Sequence, residues 1–358
     1  MQNIRAEVIS GTSDLSLDIP FFTKTLGMKM LEIFPADDPQ QALFSGHGLR
    51  LRLRRGDVPG IVRILADDPV LIAGGADALQ APGGTAVEIA PLAPAVVMPK
   101  TEHSFVVRRL ADQAPWIVGR AGMQYRDLIP DRLGGAIIAS HIRIPDGGPV
   151  PDMVHYHSVG FQLIFCYKGW VDLVYEDQGA PFRLHAGNCV IQPPEIRHRV
   201  LYASDNIEVI EIGVPAEHVT TIEHSMELPN GSNPDRVFAG QRFVHHKADA
   251  AEWAPFRLPG FQARDTTIHD HTGGVAGVHV VRPDAGAPVW ASHDSDILFS
   301  FVMAGELTLA AQDSSQRLAA GDAFVIPPGQ KTRYSEPSKD LELLEVSLPG
   351  AFKTHLEG

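Results

Sequence analysis

Three stretches of this 358-residue chain recur, in the same order, further along it. "GGAIIASHIRIPDGG" at 134 to 148 is echoed by "GGVAGVHVVRPDAG" at 273 to 286. "FQLIFCYKGWVDLVYED" from Phe161 is echoed by "ILFSFVMAGELTLAAQD" from Ile297, and "LHAGNCVIQPPEIRHRV" from Leu184 by "LAAGDAFVIPPGQKTRY" from Leu318. A period of about 135 residues is too long for a solenoid unit, so it marks two homologous domains. Each copy is a string of short strand-like runs with Gly turns and a Pro-Pro pair, the pattern of a small β-barrel.

The first copy carries chemistry. Successive side chains of a strand alternate faces, so His155 and His157 in "HYHSVGFQ" point the same way. Gln162 comes from the adjoining strand after a Ser-Val-Gly turn. His198 follows a Gly-bounded strand and the Pro193-Pro194 corner. Three neutral imidazoles and an amide oxygen make an N3O set for a divalent first-row metal. If they were only core polar residues, several buried polar atoms would need other partners.

Together with Gly169, Gly187 and Pro193, these positions resemble the cupin signature: His-x-His, an acid or amide, a strand and Gly, then Gly, Pro and His. The repeat makes the chain similar to a bicupin. The resemblance implies a mainly β fold, with two double-stranded β-helix barrels over residues 100–225 and 240–352. It also implies one divalent first-row transition metal per chain on His155, His157, Gln162 and His198, with Fe2+ favoured over Zn2+, Ni2+ or Mn2+. Gln162 stands where Glu is commoner in the family. A neutral amide leaves the metal's positive charge uncompensated, which favours Lewis acidity and anionic substrates.

The second barrel is expected to lack a metal. Ala291, His293, Leu298 and Thr332 replace His155, His157, Gln162 and His198, and one imidazole does not hold a metal. The cluster "HDHT" at 269 to 272 and the pair His245-His246 fall in segments with Asp or Lys, and read as exposed loop histidines. His141 and Arg143 share one face of the strand before the ligand strand and are the candidate catalytic pair. Facing inward, Arg143 would hold an anionic substrate; facing outward, it would make a surface salt bridge. Cys166 continues the parity of Gln162 and reads as a small apolar filler.

The N-terminal 95 residues read as strand (4–10), helix (14–26), then strands at 28–34, 41–45 and 49–54. Asp14 is the expected N-cap, and Leu15, Ile19, Phe22 and Leu26 share a helix face. This β-α-β-β-β order, with "DLSLDIPFFTKTLGMKML" at its heart, resembles a small α+β module of the glyoxalase or vicinal-oxygen-chelate superfamily. Glu7 and Glu88 fall near two of that family's ligand positions. The middle ligands have no match, so both read as solvated strand carboxylates. "LRLRLRR" at 49 to 55 reads as a strand with one charged, solvated face. "PLAPAVVMP" at 91 to 99 reads as a linker.

Composition narrows the function. A formal net charge of −13 argues against a nucleic-acid partner. Two cysteines provide no disulfide framework, "MQNIRAEVIS" lacks a signal-peptide profile, and no long apolar run predicts a membrane span. The expectation is a cytoplasmic, homodimeric, metal-dependent enzyme acting on a small oxygen-rich, anionic molecule. Dioxygenase chemistry leads; a redox-neutral isomerase or lyase and a non-enzymatic ligand sensor are the alternatives.

Overall fold

Side chains of the strand Phe161–Lys168 go alternately to two different apolar layers, which explains its nearly unbroken apolar sequence. Phe161, Leu163 and Phe165 join one buried cluster and Cys166 another. A computed structural model describes residues 4–12, 14–25, 27–46, 48–56, 61–80, 86–112 and 115–357, and the architecture is mainly β. The chain divides into two compact units. One is Met1–Val97 with Met153–Ser158 and Glu217–Met226; the other is Met98–Asp152, Val159–Ala216 and Glu227–Gly358.

In the first unit the N-terminal segment gives the expected element order. Strand Ile4–Thr12 is followed by helix Leu15–Pro20, which continues as a π-helical turn, Phe21–Thr25. Pro20 lacks the N–H that an α-helix needs there, which accounts for the early change of helix type. Asp14 caps the helix, its Oδ1 accepting from the backbone N–H of Ser16 and Leu17. Leu26 lies outside the described residues. Strands Lys29–Phe34, Gln41–Gly46 and Leu49–Arg55 follow as antiparallel neighbours, and Leu49–Arg55 runs parallel to Ile4–Thr12. Leu15, Met30, Phe44 and Leu53 form the core of this unit. Its sheet also takes in Thr220–Ile222, which pairs with both Lys29–Phe34 and His155–His157.

Two expectations for this unit are corrected. Glu7 is only 1% exposed, and its carboxylate accepts from Arg52 Nε at 3.0 Å and Arg50 Nη2 at 3.4 Å. Arg52 is also buried and donates to Glu32 at 3.0 Å, so the charged face of Leu49–Arg55 is a buried ion network in its middle. Glu88 is ion-paired with Arg63. Glu7 is therefore not solvated, whereas Glu88 stays partly exposed; both carboxylates are held by guanidinium groups.

In the second unit the two copies share an interface layer. Phe161, Leu163, Phe165, Ile210 and Ile212 from the first pack with Val278, Val280, Phe299, Phe301, Leu344 and Val346 from the second. Each fully buried side chain of this size contributes about 1.5–3 kcal/mol. The copies also exchange strands. Val244–His246, which precedes the second copy, pairs with Cys189–Ile191 of the first; Val106–Arg108, which precedes the first, pairs with Ala323–Val325 of the second. Two arginines repeat the exchange. Arg126 Nη2 donates to Gly321 O at 2.7 Å, and Arg264 Nη2 donates to Gly187 O at 2.9 Å. Separate clusters fill the copies themselves, around Ile142, Cys166, Leu173 and Tyr175 in the first and Val281, Leu307, Phe324 and Tyr334 in the second.

Candidate metal centre

His155 and His157 flank Tyr156 on their short strand, and both imidazoles are buried where Tyr156 is half-buried. His198 opens the strand His198–Ala203 after a turn in which Ile196 N–H donates to Pro193 O. One candidate ligand atom from each of the three histidines lies within 4.8 Å of the others. Among the described residues this is the one group of three or more His, Cys, Asp or Glu so placed.

Hydrogen bonds fix how the rings are presented. His155 Nδ1 is 2.7 Å from Met153 O and His198 Nδ1 is 2.9 Å from Ile196 O. A carbonyl only accepts, so each Nδ1 carries the proton and each Nε2 carries the lone pair. His157 Nδ1 is 3.0 Å from Thr220 Oγ1, a third contact of the same kind. Outer partners of this sort hold metal-binding imidazoles in tautomer and orientation. Burial pushes the His198 imidazole down to about 4, so the ring is neutral at pH 7 and its lone pair is available.

Gln162 is fully buried, on the face of its strand opposite Phe161 and Leu163. Its Nε2 donates to Glu211 Oε1 at 2.6 Å. With Nε2 donating to this carboxyl group, the amide oxygen is turned away from Glu211. That oxygen, Oε1, is buried and has no hydrogen-bond donor among the described residues. Three imidazoles in one group and an orphaned amide oxygen suit a divalent first-row metal.

Sequence reasoning missed the groups around this set. Glu211 lies on Ile207–Val214, where its neighbours Ile210 and Ile212 face the interface layer, leaving the carboxylate on the side of Gln162. No motif announces it. Arg120 is ion-paired with Asp152, whose Oδ2 also accepts from Val200 N–H at 2.9 Å, two residues past His198. Tyr175 stacks on His198 with ring centroids 5.5 Å apart, and its hydroxyl accepts from Gln192 Nε2 at 2.9 Å. A fourth imidazole, His218, stands 5.5 Å from the His157 ring. The repeated Pro-Pro corner marks Gln192 in sequence; the others fall outside both motif blocks.

His141 and Arg143 take neither of the two orientations considered. Ile142 enters the core of the first copy, and His141, on the opposite face, meets Phe301 of the second. His141 is 2% exposed, sits edge-on to Trp116, Tyr167 and Phe301, and pairs with Glu208 at 2.7 Å and Arg126 at 3.0 Å. Arg143 Nε donates to Gln124 Oε1 at 2.6 Å beneath a cation–π contact with Trp116. The structure does not bring His141 into the histidine group. Cys166 is a buried core thiol pushed up to about 12 by burial, as a filler would be.

The other histidines are not loop residues either. His245 and His246 lie in the exchanged strand; His245 stacks on Phe182 with centroids 4.2 Å apart, and His246 Nε2 accepts from Arg264. His269 and His271 lie in the short helix Ile268–His271, half-buried.

A family model described as the cupin domain matches residues 277–347, inside the second copy. A search of curated proteins gave no match. Solved structures do match. Salicylate 1,2-dioxygenase from Pseudaminobacter salicylatoxidans is 15% identical, over 74% of this chain and 91% of that one, with a TM-score of 0.55. Oxalate decarboxylase from Lactobacillus farciminis is 14% identical, over 73% and 91%, with a TM-score of 0.53. A mutant oxalate decarboxylase from Bacillus subtilis is 12% identical, over 72% and 81%, with a TM-score of 0.52. At such identities the likeness is one of fold. The chain therefore carries a cupin domain in a mainly β, cupin-like fold of the kind seen in these bicupins. Among the described residues no helix is long and apolar enough to cross a membrane.

Proposed function

We propose that this chain is a metal-dependent cupin enzyme acting on a small, oxygen-rich, anionic metabolite, with oxygenation as its reaction class. The observation that carries the reading is the histidine group, each ring held from outside at Nδ1. Gln162 Oε1 completes the ligand set to N3O, because it is buried without a donor. The bound metal supplies Lewis acidity and, as Fe2+, the one-electron chemistry that O2 requires. The protein's part is to hold the ligands themselves neutral, with the Glu211 carboxylate behind Gln162 and outside the ligand set, so that the cation can still draw an anion. Arg120, Tyr175 and His218 are the groups placed to orient a substrate and to hold or pass a proton.

The fold neighbours named for salicylate dioxygenation support the oxygenase reading, and those named for oxalate decarboxylation support a redox-neutral lyase as the second. The domain reading goes with the proposal: 1–95 as a glyoxalase-like module that has lost its ligands, 100–225 as the metal-bearing cupin, and 240–352 as the stripped one. The same reading has the chain act in the cytoplasm as a homodimer. Oxygen uptake by iron-loaded protein, screened across small aromatic and aliphatic carboxylates, tests it. Substrate-dependent uptake supports the oxygenase; turnover of a carboxylate without uptake favours the lyase; neither, with tight ligand binding, favours a sensor.

A further inference from the structure

Two of the three grouped histidines, His155 and His157, belong to the same compact unit as the N-terminal strands. The strand His155–His157 pairs with Thr220–Ile222, which pairs in turn with Lys29–Phe34. Directly opposed residues of antiparallel neighbours share a face. The register therefore places His157, Thr220, Ile33, Ala42 and Leu53 in one row across successive strands. Ile33, Ala42 and Leu53 all lie in the buried N-terminal core, and Thr220 is fully buried. The row begins at a candidate ligand and ends in that core, with Thr220 as the polar residue between them.

Thr220 has two attachments. Its backbone is held opposite Ile33, and its Oγ1 lies 3.0 Å from His157 Nδ1. His155 and His198 are held by the carbonyls of Met153 and Ile196, each two residues away in the chain. His157 instead takes its partner from 63 residues on, so the sheet that carries Thr220 sets the pose of this ring. The same segment is tied a second time, where His224 Nε2 donates to Met30 O at 2.6 Å. The Glu7, Arg52 and Glu32 network lies in the neighbouring row, with Glu32 opposite Thr221, and alternation turns its side chains to the other face.

We propose that the N-terminal strands are a positioning element of the metal centre: through Ile33 they fix Thr220, and through Thr220 they fix the tautomer and tilt of His157. The inference rests on the reading that the histidine group holds a metal, and it gives the N-terminal segment a part in that function. With Nδ1 donating to the Thr220 hydroxyl, a metal on this ring is bound through Nε2.

Zinc titration into the chelator-stripped full chain, with 15N spectra of the histidine rings recorded before metal is added, tests the proposal. Thr220→Val nearly keeps the shape but removes the hydroxyl. Zinc affinity should fall by about 10–100-fold, and the metal-free His157 ring should shift from the Nδ1–H towards the Nε2–H form. Thr220→Ser should restore both. Ile33→Ala should move the His157 ring in the same direction and weaken zinc binding. In a Thr220→Val background it should add nothing, because it acts through that hydroxyl. Ile33→Val repeats the comparison at smaller amplitude if the alanine variant does not fold. Glu7→Ala disturbs only the neighbouring row and should leave the His157 ring as it is; the His198 ring should stay unmoved in every variant. An unmoved His157 ring or an unchanged zinc affinity in Thr220→Val would overturn the proposal, as would an Ile33 effect that adds in full to that of Thr220→Val. A wild type that takes up no zinc would remove the metal reading, and the ring spectra alone would then decide whether the N-terminal strands position His157.

Discussion

Gln162 Nε2 lies 2.6 Å from Glu211 Oε1, and this contact determines which end of the amide is left for other work. Glu211→Gln lets the Gln162 amide turn over, because a second amide offers both donor and acceptor. Metal affinity is then expected to fall by about 10–100-fold, the usual cost of losing an outer partner. Gln162→Ala removes the oxygen itself and should cost at least as much. Gln162→Glu sets two carboxylates side by side. The metal-free protein should melt at a lower temperature than wild type, and metal should restore more of that loss than it adds to wild type. Metal titration into chelator-stripped protein, followed by thermal melting, reads all three.

Glu7 belongs to a different economy. Its carboxylate is buried on Arg52 and Arg50, so Glu7→Ala leaves Arg52 with Glu32 alone. Breaking a buried pair by removing one partner costs about 3–5 kcal/mol. Denaturant unfolding should show a loss of that order, with metal content unchanged. A drop in bound metal at preserved stability would revive Glu7 as a ligand.

The paired contacts of Arg126 with Gly321 and Arg264 with Gly187 tie the two copies together from opposite directions. Substituting either arginine by Leu leaves a carbonyl without its donor, at about 1–3 kcal/mol each. Urea midpoints of the two single variants and the double variant check this; a double variant no worse than either single would show that the contacts are not independent supports.

His245 gives the fold a pH dependence. Burial, with help from nearby Lys247 and His246, holds its imidazole at about 4 against an ordinary value of 6.5. Between those values the unfolded chain binds a proton that the folded chain does not, so stability falls as pH drops from about 6.5 towards 4. His245→Phe, which preserves the stack on Phe182, should reduce that slope. An unchanged slope in melting temperature over this range would contradict the assignment.

Much of this was readable from the sequence because it is local. The His-x-His pair, the Gly and Pro corners and the repeat sit within single strands and turns, where spacing fixes direction. Parity alone also places Cys166 on the Gln162 side of its strand. What escaped is what depends on a distant partner. Glu211 is 49 residues from Gln162 and is placed only by strand pairing. Glu7 looked solvated because alternation marks a charged face without showing that Arg52, 45 residues on, covers it. His141 and Arg143 are ambiguous in sequence because both faces of their strand are packed, with Ile142 in the core of the first copy and His141 against Phe301 of the second. His245 and His246 lay in a segment whose polar neighbours suggested a loop, while its strand partner, Cys189–Ile191, belongs to the other repeat.

The central claim is that His155, His157 and His198 hold one metal, and elemental analysis of protein purified without chelator tests it most directly. The expected result is close to one divalent first-row ion per chain, lost in the double variant His155→Ala with His198→Ala, which should remain folded by circular dichroism. Two ions per chain, or one ion retained by that folded variant, would contradict it.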